Sequence, residues 1–220
     1  MPHTKSPSSV AKLGADKHDA AVRHLLRQLI GLTVGPDRFV EHAAEVGCGV
    51  DARHTREWGR LLLERDCPVG RVTLVDPALD RSGSKPLLIF GVSTTCAPTE
   101  WAAWSRCQPP ASIDLCVAIQ TTSLMNADEL SGFYADLTRL LSPAGLLLEV
   151  GEENDRVTES RHRALRVYPR SREQCFAIAA AEGLSPTTLT TCPAHSETPA
   201  DGCVMLGVAF RRTPDARSVP

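Results

Sequence analysis

Short apolar runs of strand length alternate along the chain with longer segments whose apolar residues recur every three or four positions. From Asp16, the residues Val22, Leu25, Leu26, Leu29 and Ile30 follow helical spacing, and Gly31 to Pro36 closes the segment. This predicts an amphipathic helix ahead of the first strand, either packed on the sheet or serving as a lid. A strand is expected at about residues 41–46, followed by a helix from about Ala52 to Arg65 with Trp58, Leu61 and Leu62 inward. Val72–Val75 predicts the second strand and Leu87–Val92 the third, joined by a Pro- and Gly-punctuated link from Pro77 to Pro86. Trp101 and Trp104 suit one face of a helix and burial in the core.

The second half is more regular. Ile113–Ile119 is nearly all apolar, as expected of a strand covered on both faces. Asn126 and Glu129 have capping-box spacing, and Leu130, Phe133, Leu137, Leu140 and Leu141 continue a helix that Ser142 to Gly145 stops. Leu146–Val150 reads as the fifth strand, and Glu152 to Tyr168 as a polar surface loop or short helix. Ser171 and Gln174 open another helix that ends at Gly183. Thr187–Thr191 and Val204–Phe210 are the last strands; with no helix between them they suit an antiparallel hairpin. Earlier alternation of strands and helices implies a parallel sheet. Residues 1–15 and 212–220 read as flexible ends around a single domain spanning 16–211.

Composition narrows the function. The 220 residues suffice for one sizeable core, and 42% apolar with 23% charged residues is an ordinary globular balance. A formal charge of −2 gives no general pull toward nucleic acid or anionic membrane. The polar start lacks a signal-peptide core and no run is long enough to span a bilayer, so a soluble, cytoplasmic protein is expected. The eight cysteines contain no Cys-x-x-Cys pair and no metal spacing, which favours reduced structural thiols and no metal site.

The chemistry is concentrated where Phe39–Val46 gives way to Gly47-Cys-Gly49-Val-Asp51, with a second acid, Asp76, ending the next strand. An apolar strand, a glycine turn, a helix and a strand with an acidic tip form half of a nucleotide-binding unit. These stretches resemble the class I S-adenosylmethionine-dependent methyltransferases. Glu45 to Asp51 is similar to their first motif, Val72–Asp76 to their second, and Ile113–Gln120 to the strand whose end faces the reacting methyl. Leu140 to Leu148 resembles their Leu-x-Pro-Gly-Gly turn. The resemblance covers roughly residues 16–211. It implies an α/β fold, Rossmann-like and doubly wound, with a mostly parallel seven-stranded sheet and an antiparallel C-terminal strand.

The resemblance also implies S-adenosylmethionine as cofactor and S-adenosylhomocysteine as product. It places Glu45, Gly47, Cys48, Gly49 and Asp51 at the cofactor, together with Asp76, Pro77 and Gln120. Two departures stand out. Asp51 replaces the motif's third glycine, and Gly91-Val-Ser93-Thr94 lacks the usual adenine-binding acid, leaving Ser93 or a backbone carbonyl.

Position 120–123 reads Gln-Thr-Thr-Ser rather than the Asn/Asp-Pro-Pro-aromatic of base- and amide-directed enzymes, so a small-molecule acceptor from biosynthesis is expected. His54, Thr121, Glu152, Glu153, His162 and Tyr168 are acceptor-side candidates, and no residue is assigned as catalyst. The oligomeric state is open, a homodimer being one option. Two rivals remain. One is a nicotinamide-dependent oxidoreductase, since Gly47 to Ala52 fits Gly-x-Gly-x-x-Ala, although no Tyr-x-x-x-Lys pair exists. The other binds S-adenosylmethionine to sense it or to run a non-methylating reaction.

Overall fold

The computed structural model describes residues 7–49, 52–79, 91–153, 158–159, 166–168, 171–193 and 204–214. The chain begins with α1 (Pro7–Thr33), β1 (Val40–Val46), α2 (Arg53–Leu63) and β2 (Val69–Val75). It continues with β3 (Ser93–Ala97), α3 (Trp101–Arg106), β4 (Ile113–Ile119), a 3-10 turn (Thr122–Leu124) and α4 (Ala127–Leu140). The last elements are β5 (Leu141–Glu153), β6 (Thr158–Glu159), β7 (Arg166–Val167), α5 (Arg172–Ala181), β8 (Leu184–Pro193) and β9 (Val204–Arg212).

Seven strands form one sheet in the order β3-β2-β1-β4-β5-β9-β8, and β6 pairs with β7 separately. The first five run parallel, while β9 is antiparallel to both β5 and β8. Strand order reverses between β1 and β4. In open α/β sheets that reversal leaves a crevice at the carboxyl edge where ligands bind.

Alternation along the strands explains the two cores. On one face Ala43, Leu115, Val117, Leu148 and Val150 meet Leu25, Leu29 and Ile30 of α1 and Trp58 of α2. On the other, Ala44, Cys116, Leu147 and Phe210 meet Trp101, Phe133, Tyr134 and Leu137. Trp101 and Trp104 are buried, with ring centroids 5.2 Å apart, as their spacing predicts. At the amino edge Asp114 ties three strands: it accepts from the Glu41 and His42 amides and from Ser142 Oγ.

Three expectations change. The third strand is Ser93–Ala97, paired with Arg71–Val75, and residues 87–90 lie outside the described residues. As an edge strand it leaves alternate residues exposed, so its sequence lacks an apolar signature. Helix α1 starts at Pro7, inside the stretch expected to be loose; proline suits a first helical position because its missing N–H has no partner there anyway. The Ser142–Gly145 stop lies within β5, where the register shifts between Ile113 and Leu115.

Candidate functional site

The turn after β1 is built by backbone conformations that side chains disfavour. Gly47 (φ 71°) and Gly49 (φ 70°) are left-handed, as are Ala52 (φ 45°) at the start of α2 and Gln120 (φ 57°) at the end of β4. Strain of this kind persists where surrounding structure enforces it, and it clusters at functional sites. Here the enforcement is visible. Gly47 donates its amide to Val75 O at 2.9 Å, and Gln120 donates to Val150 O at 2.6 Å. Thr121 Oγ1 donates to Val46 O at 2.8 Å, so its side chain lies directly on the glycine turn. A Cβ on Gly47 would stand 2.1 Å from that hydroxyl oxygen.

Glu45 has a different place from the one its motif suggests. It shares the α2-facing side of β1 with Ala43 and is 1% exposed. Its Oε2 accepts from Thr55 Oγ1 and, at 2.8 Å, from Trp58 Nε1. Glu45 therefore fixes α2 against the turn rather than lining the mouth. Burial raises its carboxyl from an ordinary value of 4.5 to about 7, against the lowering effect of the two hydrogen bonds. An acid raised in the folded state adds stability that is complete below pH 4.5 and is lost as pH rises through about 7. The span corresponds to about 3 kcal/mol. Urea unfolding should show that decline, and Glu45→Gln should flatten it. An unchanged slope in the variant would contradict the assignment. Cys48 beside it is buried, and burial pushes its thiol well above the ordinary range, so it packs rather than reacts.

Asp76 ends β2 and spans the turn. Its Oδ2 accepts from the Gly49 amide and its Oδ1 from the Ala78 amide, both at 2.7 Å. A carboxylate offers about four acceptor positions. Two are filled, which leaves each oxygen able to accept from one hydroxyl of a vicinal diol. Pro77 follows on the exposed surface. Ser93 is a correction: it pairs with Arg71 at the beginning of β3, at the opposite end from Ala97, which pairs with Val75 at the mouth. The acid after the true third strand is Glu100, exposed at the start of α3 and making no side-chain cap bond. Misplacing the strand hid it. Asp51 lies outside the described residues.

The acceptor-side candidates separate. Gln120 and Thr121 are at the end of β4, and His54 is on the first turn of α2. Tyr168 and Glu152 line a small open cleft with Thr122, Glu149, Phe176 and Phe210, on the α5 side of β5. Glu149 accepts from Thr122 Oγ1 at 2.7 Å and from Tyr134 Oη at 2.8 Å, closing the floor. Glu153 pairs with Val204 through its backbone at the end of β5. His162 lies outside the described residues.

Helix α1 brings two residues that the sequence reading passed over. His18 Nδ1 is 3.7 Å from Glu152 Oε1, and Asp19 Oδ2 accepts from Arg53 Nη1 at 2.9 Å. Neither carried a sequence signal of its own: they are polar residues just ahead of Ala21 and Val22, which are buried in α1, and only the packing of the helix brings them to Glu152 and Arg53. Among the described residues no group of three or more His, Cys, Asp and Glu is placed to hold a metal, and no helix is long and apolar enough to cross a membrane.

No family model matches the sequence, and no curated protein is significantly similar to it. Solved structures are similar to it in fold. A SAM-dependent methyltransferase from Leishmania major matches 94% of this chain and 77% of its own, with a TM-score of 0.67 and 16% identity. The 1,6-didemethyltoxoflavin-N1-methyltransferase of Burkholderia thailandensis matches 97% of this chain and 92% of its own, with a TM-score of 0.60 and 21% identity. The cyclase SpnF matches 88% and 85%, with a TM-score of 0.62 and 14% identity. The seven-stranded sheet, with its antiparallel penultimate strand, is thus the Rossmann-like fold of the class I methyltransferases.

Proposed function

We propose that the protein is a methyltransferase that takes its methyl group from S-adenosylmethionine and places it on a small-molecule acceptor. The observation that carries this reading is the Asp76 carboxylate, held by two backbone amides at the tip of β2 beside a turn that admits no Cβ at Gly47. The donor set suits a sulfonium nucleoside: spare acceptor positions for the ribose diol, exposed Glu100 for the adenine amino group, and bare backbone at Gly49 for the methionine end. S-Adenosylmethionine supplies an activated methyl group on a positively charged sulfur. The chain's task is then to hold, orient and keep water out, since methyl transfer depends on in-line positioning.

Acceptor binding is assigned to the far end of β4 and β5, where the cleft offers aromatic walls at Phe176 and Phe210 and polar groups at Tyr168 and Glu152. The 1,6-didemethyltoxoflavin-N1-methyltransferase of the same fold binds 1,6-didemethyltoxoflavin, which supports a small-molecule acceptor. A biosynthetic role in the cytoplasm, without nucleic acid or membrane, belongs to the same reading.

The cyclase SpnF sustains a second reading, in which this fold serves a reaction without methyl transfer. Product mass separates the two. Incubation with S-adenosylmethionine and a panel of small amines, phenols and carboxylic acids should give products heavier by one methyl group. Conversion without that gain would favour the second reading. Absence of both would remove the first.

A further inference from the structure

His18 and Asp19 share an unusual feature. His18 turns Nδ1 toward Glu152, while Nε2 is shut off from solvent and has no hydrogen-bond partner. Asp19 gives Oδ2 to Arg53, while Oδ1 is equally enclosed and unpartnered. Buried polar atoms without partners are rare and each costs on the order of 1–3 kcal/mol. Two on consecutive residues mark a place prepared to hydrogen-bond a bound molecule.

Their location points the same way. Val150 O accepts from Gln120 N where β4 ends, and Glu152 lies two residues further along β5 on the same face. Leu148 and Val150 on that face pack in the core with Leu25 and Leu29 of α1. Arg53 opens α2 just after the glycine turn. Helix α1 lies on the sheet face opposite the aromatic cleft and spans the crevice's edge: Asp19 ties it to the start of α2, and His18 reaches Glu152, which lines that cleft from the end of β5. Eleven residues of α1, from Pro7 to Lys17, precede this pair. His18 thus has one nitrogen within ion-pair range of a carboxylate, at 3.7 Å, and the other without a partner, a setting compatible with a proton acceptor.

We propose that His18 Nε2 receives the proton that the acceptor loses on methylation, with Glu152, in ion-pair range of Nδ1, as the positioning residue. This rests on the methyltransferase reading and deepens it. The acceptor is then a nitrogen or oxygen nucleophile that carries a hydrogen. Its lone pair forms the bond to the methyl carbon, and the sulfur–methyl bond breaks with its electron pair remaining on sulfur. The acceptor's proton passes to Nε2. Among the described residues, Glu152 on β5 stands beside the ring, and Arg53 from the start of α2 pairs with the adjacent Asp19.

The first test needs no acceptor. In the complex with S-adenosylmethionine isotope-labelled at its methyl, nuclear Overhauser contacts are expected between that methyl and the His18 ring protons, and they should vanish in His18→Gln. A bound complex in which the methyl contacts Gln120 but not His18 would overturn the proposal. Failure of the cofactor to bind at all would instead sink the methyltransferase reading, and the proposal with it. The second test uses whichever amine, phenol or acid the panel shows to be methylated. His18→Gln should lower kcat about 100-fold, the lower end for general-base catalysis, and abolish the loss of rate toward acid pH. Cofactor affinity should stay within about twofold, since the base touches the acceptor side. A variant that keeps both the rate and the acid limb, or a product methylated on carbon, would overturn the assignment.

Discussion

Gly47→Ala is expected to cost about 2–5 kcal/mol of stability and to eliminate cofactor binding. Two effects add. The left-handed φ of 71° penalises any L side chain by about 1–2 kcal/mol. The new Cβ would also lie 2.1 Å from Thr121 Oγ1, 2.7 Å from its Cγ2 and 2.9 Å from its Cβ. Thr121 cannot simply rotate away, because its hydroxyl is bonded to Val46 O at the end of β1. Relieving such overpacking typically costs about 1–3 kcal/mol. Against a total stability of about 5–15 kcal/mol, the variant is marginal. Combining it with Thr121→Ala should recover part of the steric cost and none of the backbone cost. Urea denaturation of the two single variants and the double variant measures both parts. A wild-type midpoint for Gly47→Ala would show that the turn is not held as described.

Asp76→Ala is the second large effect, and it acts on binding. The carboxylate anchors the Gly49 and Ala78 amides and, on the proposed function, also accepts from both ribose hydroxyls. Losing hydrogen bonds to a charged group weakens binding by about 1–3 kcal/mol, or roughly 5- to 150-fold. The turn also loses the acceptor that holds Gly49 in place, so the upper part of that range is expected. Titration of the folded variant with S-adenosylhomocysteine checks this. Unchanged affinity would detach Asp76 from the cofactor.

Much of the fold could be read in advance where a physical rule is strong. Ile113–Ile119 is buried on both faces and reads as an unbroken apolar run. The reciprocal bonds of Asn126 with Glu129, and of Ser171 with Gln174, are present as their spacing predicts. Signals failed where tertiary position overrides local pattern. Ser93–Ala97 is polar because an edge strand needs only one covered side, and the apolar stretch upstream drew the prediction away from it. That displacement carried Ser93 to the wrong edge of the sheet and concealed Glu100.

The turn itself was legible: Gly47 and Gly49 adopt the left-handed conformation and Asp76 accepts from Gly49, as the pattern of acid and glycine implies, while their hold on a cofactor belongs to the proposed function. The resemblance places Glu45 at the cofactor, whereas its side chain shares the helix-facing side of β1 with Ala43 and is buried. Thr55 and Trp58, three apart on α2, were the available sign of donors waiting beneath it. His18 gave no sequence signal of its own, since only the packing of α1 across the sheet brings it to Glu152.

The central claim is that this crevice grips a sulfonium nucleoside. Isothermal calorimetry of the wild-type protein with S-adenosylmethionine, S-adenosylhomocysteine and the oxidised and reduced nicotinamide dinucleotides tests it most directly. Saturable binding of the two adenosyl compounds at one shared site, with no heat from either dinucleotide, is the expected result. Saturable binding of a dinucleotide, or no binding of either adenosyl compound, would contradict it.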